Sequence, residues 1–220
     1  MNNKVKINID GKEIQAEAGS SLLQAALDND IYIPHLCYLD GMKEPHAGCR
    51  LCFVEVKGLP GPVTSCTTKV EDNMVVRTHS PDVDRLVKHA YELIISTHPI
   101  VCKTCPANRS CALQDMAKEL RLPLKPGKLN KILPDYPIDD SHPLFILDPN
   151  LCVLCGKCVF VCNEVEGARA LEFLFRGISM RIGTAAGLPL AESTCTGCLK
   201  CVDVCPVGAL SRKANQVQAG

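Results

Sequence analysis

Apolar and polar positions at the start of the chain follow a two-residue period. Residues 5–9 place Val5, Ile7 and Ile9 on one face, as a half-buried strand does. Asp10-Gly11 is a strong hairpin turn and predicts a second strand through Ile14. Ser20 or Ser21 then stands where it can cap a short helix, Leu22 to Leu27. Phe53 to Val56 and Met74 to Val76 predict further strands, separated by the turn-rich Gly58-Leu59-Pro60-Gly61-Pro62. A small mixed sheet carrying one helix is expected, ending near residue 79.

Beyond that point the period lengthens. Ser80-Pro81, with Asp82 and Asp84 close behind, marks a helix start. Leu86, Ala90, Leu93 and Ile94 predict its apolar stripe, and His98-Pro99 its end, because proline lacks a donor and clashes with the preceding turn. A second helix is expected from about Ser110 to Arg121, with Leu113, Met116, Ala117 and Leu120 on one face. Residues 122–149 contain six prolines and read as an extended linker, with Lys125, Lys128 and Lys131 on a solvated surface. The last fifteen residues hold little apolar beyond Leu210 and read as a surface tail.

Composition changes this picture. Hydrophobic residues make up 46% of the 220, yet aromatics are only 4% and tryptophan is absent. Aromatic side chains supply much of the buried area of an ordinary core, so part of the chain needs another organiser. Fifteen cysteines are the candidates. The start, Met1-Asn2-Asn3-Lys4, lacks the apolar stretch of an export signal. A cytoplasmic, reducing compartment is therefore expected, where thiolates bind metal and are not oxidised in pairs. No apolar run approaches a membrane span, and a formal net charge of zero points to no nucleic acid.

Cysteine spacing carries the chemistry. Cys-x2-Cys-x2-Cys-x3-Cys occurs at Cys152 and again at Cys195. In such runs three thiolates wrap one cubane and the fourth reaches the other cluster. Cys152, Cys155, Cys158 and Cys205 are then expected to hold one [4Fe–4S] cluster, and Cys162, Cys195, Cys198 and Cys201 a second. Zinc is the alternative, but structural zinc generally uses two separated Cys-x2-Cys pairs, and a repeated third cysteine fits that poorly. Cys37, Cys49, Cys52 and Cys66 bracket a central Cys-x2-Cys and resemble a plant-type [2Fe–2S] site, with a longer gap before the pair. Cys102, Cys105 and Cys111 are one ligand short of a third [4Fe–4S] site. His98, at a helix end four residues before Cys102, supplies the missing donor. No cysteine is left over. The other five histidines read as structural or solvent-facing, and no catalytic constellation is visible.

These four ligand sets in this order resemble the N-terminal iron–sulfur module of the large peripheral-arm subunit of respiratory complex I, also found at the front of iron-only hydrogenases. The resemblance covers about residues 4–212. Cys162 departs from the usual run by preceding Asn163 where proline would stand. The sequence ends soon after Cys205-Pro206, which is similar to the small diaphorase subunit of soluble NAD-reducing nickel–iron hydrogenases. Related subunits serve NAD-dependent formate dehydrogenases and bifurcating or transhydrogenase complexes. The resemblance implies an α+β chain in three parts: a β-grasp [2Fe–2S] ferredoxin-like domain (1–79), a helical domain with the one-His, three-Cys cluster plus linker (80–147), and a two-[4Fe–4S] ferredoxin domain with its tail (148–220). It also implies a flavoprotein partner that binds FMN and NAD(P), and a separate catalytic subunit. The sequence shows no Gly-x-Gly-x-x-Gly after a strand, and Gly183-Thr184-Ala185-Ala186-Gly187 reads as a loop. A free-standing ferredoxin-like carrier or redox sensor is the alternative of another class.

Overall fold

The computed structural model describes residues 4–213. They fall into two compact units, Met1–Ile94 and Ile95–Gly220. In the first, strand β1 (Lys4–Ile9) turns through Asp10 and Gly11, both at positive φ, into β2 (Lys12–Glu17), with Ile9 opposite Lys12. Such a two-residue turn needs left-handed backbone at both positions. The sheet is completed by β3 (Phe53–Val56), β4 (Val63–Thr64) and β5 (Val75–Arg77) in the order β2-β1-β5-β3-β4. Only the β1–β5 pair is parallel. Ile7, Ile9, Ile14, Val54 and Val76 bury one face against Leu22 and Leu23 of helix α1 (Leu22–Leu27). Cys52 and Cys66 belong to the same core.

Ser21 is the cap of α1: its hydroxyl accepts from Gln24 N–H at 3.1 Å. The N–H groups of Leu22 and Leu23 donate to the Thr68 and Ser65 carbonyls. Orphan donors at the helix start thus hold the loop that presents Cys66. Helix α2 (Pro81–Ser96) begins as expected, with the Ser80 hydroxyl accepting from Val83 N–H at 3.2 Å. Its apolar stripe differs from the expected one. Val83, Val87, Ala90, Tyr91 and Ile95 are buried, whereas Leu93 is 59% exposed. Both sets recur at the helical period, and the buried one includes Tyr91, which has the larger area to remove from water.

In the second unit, helix α3 (Ala112–Glu119) buries Leu113, Met116 and Ala117. The expected linker is more than a spacer. Asn150 pins it through Tyr136 N–H at 2.8 Å and the Tyr136 carbonyl at 2.9 Å. Asp139 accepts from Leu190 N–H at 2.8 Å, and its backbone pairs with Leu147. Strand β6 (Phe145–Leu147) then pairs with β9 (Leu210–Arg212). The three lysines are exposed as expected.

That pairing also corrects the tail. Val207, Ala209 and Leu210 are buried, because a strand paired to β6 must cover the space between the two segments. Residues 214–220 lie outside the described residues. Helices α4 (Lys157–Phe160) and α5 (Lys200–Asp203) and the hairpin β7 (Glu172–Leu174)–β8 (Arg181–Gly183) complete the unit. Among the described residues no helix is long and apolar enough to cross a membrane.

Ser21→Ala removes the cap of the helix that carries the Cys66 loop. It should lower stability by about 1 kcal/mol, read as an earlier urea midpoint with unchanged slope, while Ser21→Asp should retain most of it.

Candidate metal centres

In the first unit Cys37, Cys49 and Cys52 come from the connection between α1 and β3, and Cys66 from the connection between β4 and β5. The Ser65 N–H donates to the Cys52 carbonyl at 2.8 Å, tying the Cys66 loop to the central pair. Ala47 and Arg50, on either side of Cys49, lie at positive φ, so the chain curls around that thiol. Cys37, Cys52 and Cys66 are at most 1% exposed. The thiols meet in two couples. Cys37 hydrogen-bonds to Cys49, which pulls Cys49 down and pushes Cys37 up. Cys66 does the same for Cys52, with the Ser65 hydroxyl also favouring the Cys52 thiolate.

In the second unit, His98 follows the last turn of α2 and is buried. Its Nδ1 has no hydrogen-bond partner, and burial pulls its pKa down. Burial thus disfavours the charged ring and leaves Nδ1 unpaired, which is costly for a structural histidine, whereas a metal ligand uses a neutral imidazole nitrogen. Cys105 lies in the turn from Cys102, its N–H facing the Cys102 carbonyl at 3.3 Å. Cys111 is the N-cap residue of α3 in extended conformation. Burial raises the Cys111 thiol, and the nearby Cys105 and Cys102 raise it further.

The repeated motif builds twin cavities. One is lined by Cys152, Cys155, Cys158 and Cys205, with Ile182 and Leu210 among its apolar walls. The other is lined by Cys162, Cys195, Cys198 and Cys201, with Phe145 and Leu171. The last cysteine of each run therefore lies with the first three of the other, as the spacing requires. Two ties missed by sequence reading hold the segments together. Glu166 accepts from Lys200 at 2.7 Å and Thr196 at 3.1 Å, and Thr194 donates to the Ala168 carbonyl at 2.7 Å. Such exposed contacts have no periodic signature.

The turns of the two runs share a backbone shape but not a sequence. Leu154 and Gly156 are left-handed in the first, Gly197 and Leu199 in the second. The 43-residue repeat thus swaps leucine and glycine between equivalent positions. A leucine at positive φ is strained, and such strain persists where the surroundings over-determine it. Here the turn must aim two thiols at one space and then start α4 or α5.

Burial sets the electrostatics of these cavities. Burial pushes Cys152 up to about 12, and Cys201 likewise to about 12. Cys158 is raised well above the ordinary thiol value by burial, and Cys205 is raised by burial against the pull of nearby backbone N–H groups. N–H groups also reach sulfur at Cys152 (from Leu154, 3.3 Å) and Cys162 (from Ala170, 3.2 Å). Thiols raised in this way favour their neutral form, whereas a metal-coordinating thiol is deprotonated outright. The donor set, the apolar walls and the N–H groups aimed at sulfur fit an iron–sulfur cluster.

Comparison with known proteins agrees with this arrangement. Residues 2–81 match the 2Fe-2S iron-sulfur cluster binding domain family. Residues 88–123 match the NADH-ubiquinone oxidoreductase-G iron-sulfur binding region. Residues 143–211 match the ferredoxin-like domain of NADH-quinone oxidoreductase subunit 3. One chain of the NAD+-reducing [NiFe]-hydrogenase, crystallised in its H2-reduced state, superposes with a TM-score of 0.86 at 32% identity, over 98% of this chain and 90% of that one. The chain belongs to the complex I-type iron–sulfur module family.

Within that family, it is 37% identical to the NADP-reducing hydrogenase subunit of Solidesulfovibrio fructosivorans, over 93% of this chain and 35% of the relative. It is 34% identical to the NADH-ubiquinone oxidoreductase 78 kDa subunit of Neurospora crassa, over 98% of this chain and 28% of the relative. The chain thus spans about a third or less of these curated relatives.

Gly197→Ala should destabilise this iron–sulfur protein by about 1 kcal/mol, since the left-handed cost outweighs the gain in unfolded-state entropy. Leu199→Gly should change stability less, because relieved strain and added unfolded freedom oppose one another. Anaerobic thermal unfolding of the pair checks both.

Proposed function

We propose that the chain is the electron-conducting subunit of an NAD(P)-linked oxidoreductase, with hydrogenase as the favoured terminal chemistry. The observation that carries this is the pair of cavities, each enclosed by four thiols drawn from both runs. Cys37, Cys49, Cys52 and Cys66 would hold a [2Fe–2S] cluster. His98, Cys102, Cys105 and Cys111 would hold a [4Fe–4S] cluster. Cys152, Cys155, Cys158 and Cys205 would hold the next, and Cys162, Cys195, Cys198 and Cys201 the last. Bound clusters supply one-electron carriage, which nicotinamide, a hydride carrier, cannot provide alone.

The chain's own residues do the rest. Thiols and one imidazole set the ligand field, apolar walls exclude water, and N–H groups aimed at sulfur favour the more negative state. At His98 a neutral ring replaces an anionic thiolate, which makes that site less negative and raises its potential. A flavin-bearing, NAD(P)H-binding subunit would stand at one end and a separate catalytic subunit at the other, in the cytoplasm. Similarity to the NAD+-reducing [NiFe]-hydrogenase chain over 90% of its length supports the hydrogenase assignment.

Purified anaerobically, the protein should contain about 14 iron and 14 acid-labile sulfides per chain. Zinc without iron would refute the assignment, and a monomer recovered with no flavoprotein partner would favour a free carrier. His98→Cys should keep a [4Fe–4S] cluster at a lower midpoint potential in EPR-monitored redox titration. An unchanged signal and midpoint would show that His98 is not a ligand.

A further inference from the structure

The segment after Cys205 meets the segment around Cys105 and Cys111 at two points, neither visible in the sequence. Ala112 N–H donates to the Pro206 carbonyl at 2.9 Å. Ala112 directly follows Cys111, and Pro206 directly follows Cys205. Two residues on, Gly208 is buried against Cys105. A methyl group placed on Gly208 would lie 2.7 Å from Cys105 Sγ and 3.2 Å from Pro106 Cγ. The backbone of Gly208 is not left-handed, so conformation does not demand glycine there. Room for the Cys105 sulfur does.

Electronic coupling between two redox groups decays more slowly along covalent and hydrogen bonds than across van der Waals gaps. An unbroken path of that kind runs from Cys111 Sγ through its own main chain to Ala112 N–H, across the hydrogen bond to the Pro206 carbonyl, and back to Cys205 Sγ. We propose that this hydrogen bond is the electron bridge between the His98–Cys102–Cys105–Cys111 site and the Cys152–Cys155–Cys158–Cys205 site. Gly208 is its positioning residue, keeping the two segments in register by letting Cys105 lie against it. The transfer balances simply: one cluster loses one electron, the other gains it, and no bond breaks and no proton moves. The bridge rests on the ligand sets proposed above.

Ala112→Pro tests it in the full-length, cluster-loaded chain. Ala112 is the first residue of α3, where proline is well tolerated. Cys111 before it is extended, with φ −103° and ψ 121°, as a residue preceding proline must be. The substitution therefore deletes the donor without straining the start of α3, and its ring Cδ, standing where the amide hydrogen was, pushes the Pro206 carbonyl away. Iron and sulfide content should match wild type. The magnetic interaction between the two reduced clusters should weaken in EPR, and freeze-quenched samples should show several-fold slower equilibration between them after one-electron reduction by methyl viologen radical. Ala112→Ser, which keeps the N–H, should behave as wild type. Full iron content with unchanged interaction and unchanged equilibration would overturn the bridge.

If Ala112→Pro fails to take up iron, Gly208→Ala carries the test. It should alter the EPR signal of the His98 site and slow equilibration, leaving the signal of the Cys205 site in place. Wild-type signal and rate in that variant would overturn the proposal. A wild-type chain without iron would instead remove the ligand sets themselves.

Discussion

A single Cys-x2-Cys-x2-Cys turn presents three thiols to one space, and the fourth must come from elsewhere. That constraint organises the second unit. Cys162 leaves the first run to join the second cavity, and Cys205 returns from the second run to the first. Neither cavity closes without both segments, so the chain is locked across a 43-residue repeat by chemistry where an ordinary domain of this size would use aromatic packing. The pairing of β6 with β9 and the Glu166–Lys200 contact serve the same closure from outside. Strained leucines in the turns are tolerated because the enclosed space, not local preference, dictates where the thiols point.

The first unit solves the same problem with a sheet. Its core is aliphatic, built on Ile7, Ile9, Ile14, Leu22 and Leu23, and two of its cysteines are part of that core. The helix start holds the Cys66 loop, while the Cys52 carbonyl receives a donor from that loop. Sheet, helix and thiol pairs therefore stabilise one another. The thiols differ between the units. A neighbouring thiol pulls Cys49 and Cys52 down in the first, whereas burial pushes Cys152 and Cys201 up in the second.

Family membership rests on both units together, since the matched regions run from the sheet through the helical segment to the twin cavities. Relatives aligned over nearly the whole chain are named as an NADP-reducing hydrogenase subunit and an NADH-ubiquinone oxidoreductase subunit.

Much of this was legible without coordinates. Cysteine spacing alone grouped the twin sets and assigned Cys162 and Cys205 to opposite cavities, because ligand geometry is written into short intervals. Period-two alternation, Asp10-Gly11 and the serine caps placed β1, β2, α1 and the start of α2, since these depend on neighbours within a few residues. What lies far apart had to await the fold. The stripe of α2 was misjudged because two faces satisfy the same period and only packing chooses between them. The tail was misjudged because β9 exists only where β6 pairs with it. Gly208 carries no local signal, since its reason is a sulfur about a hundred positions earlier in the chain. Local spacing determined which thiols gather; the tertiary structure decided which of those groups touch, because contact between distant segments is a property of packing and not of sequence interval.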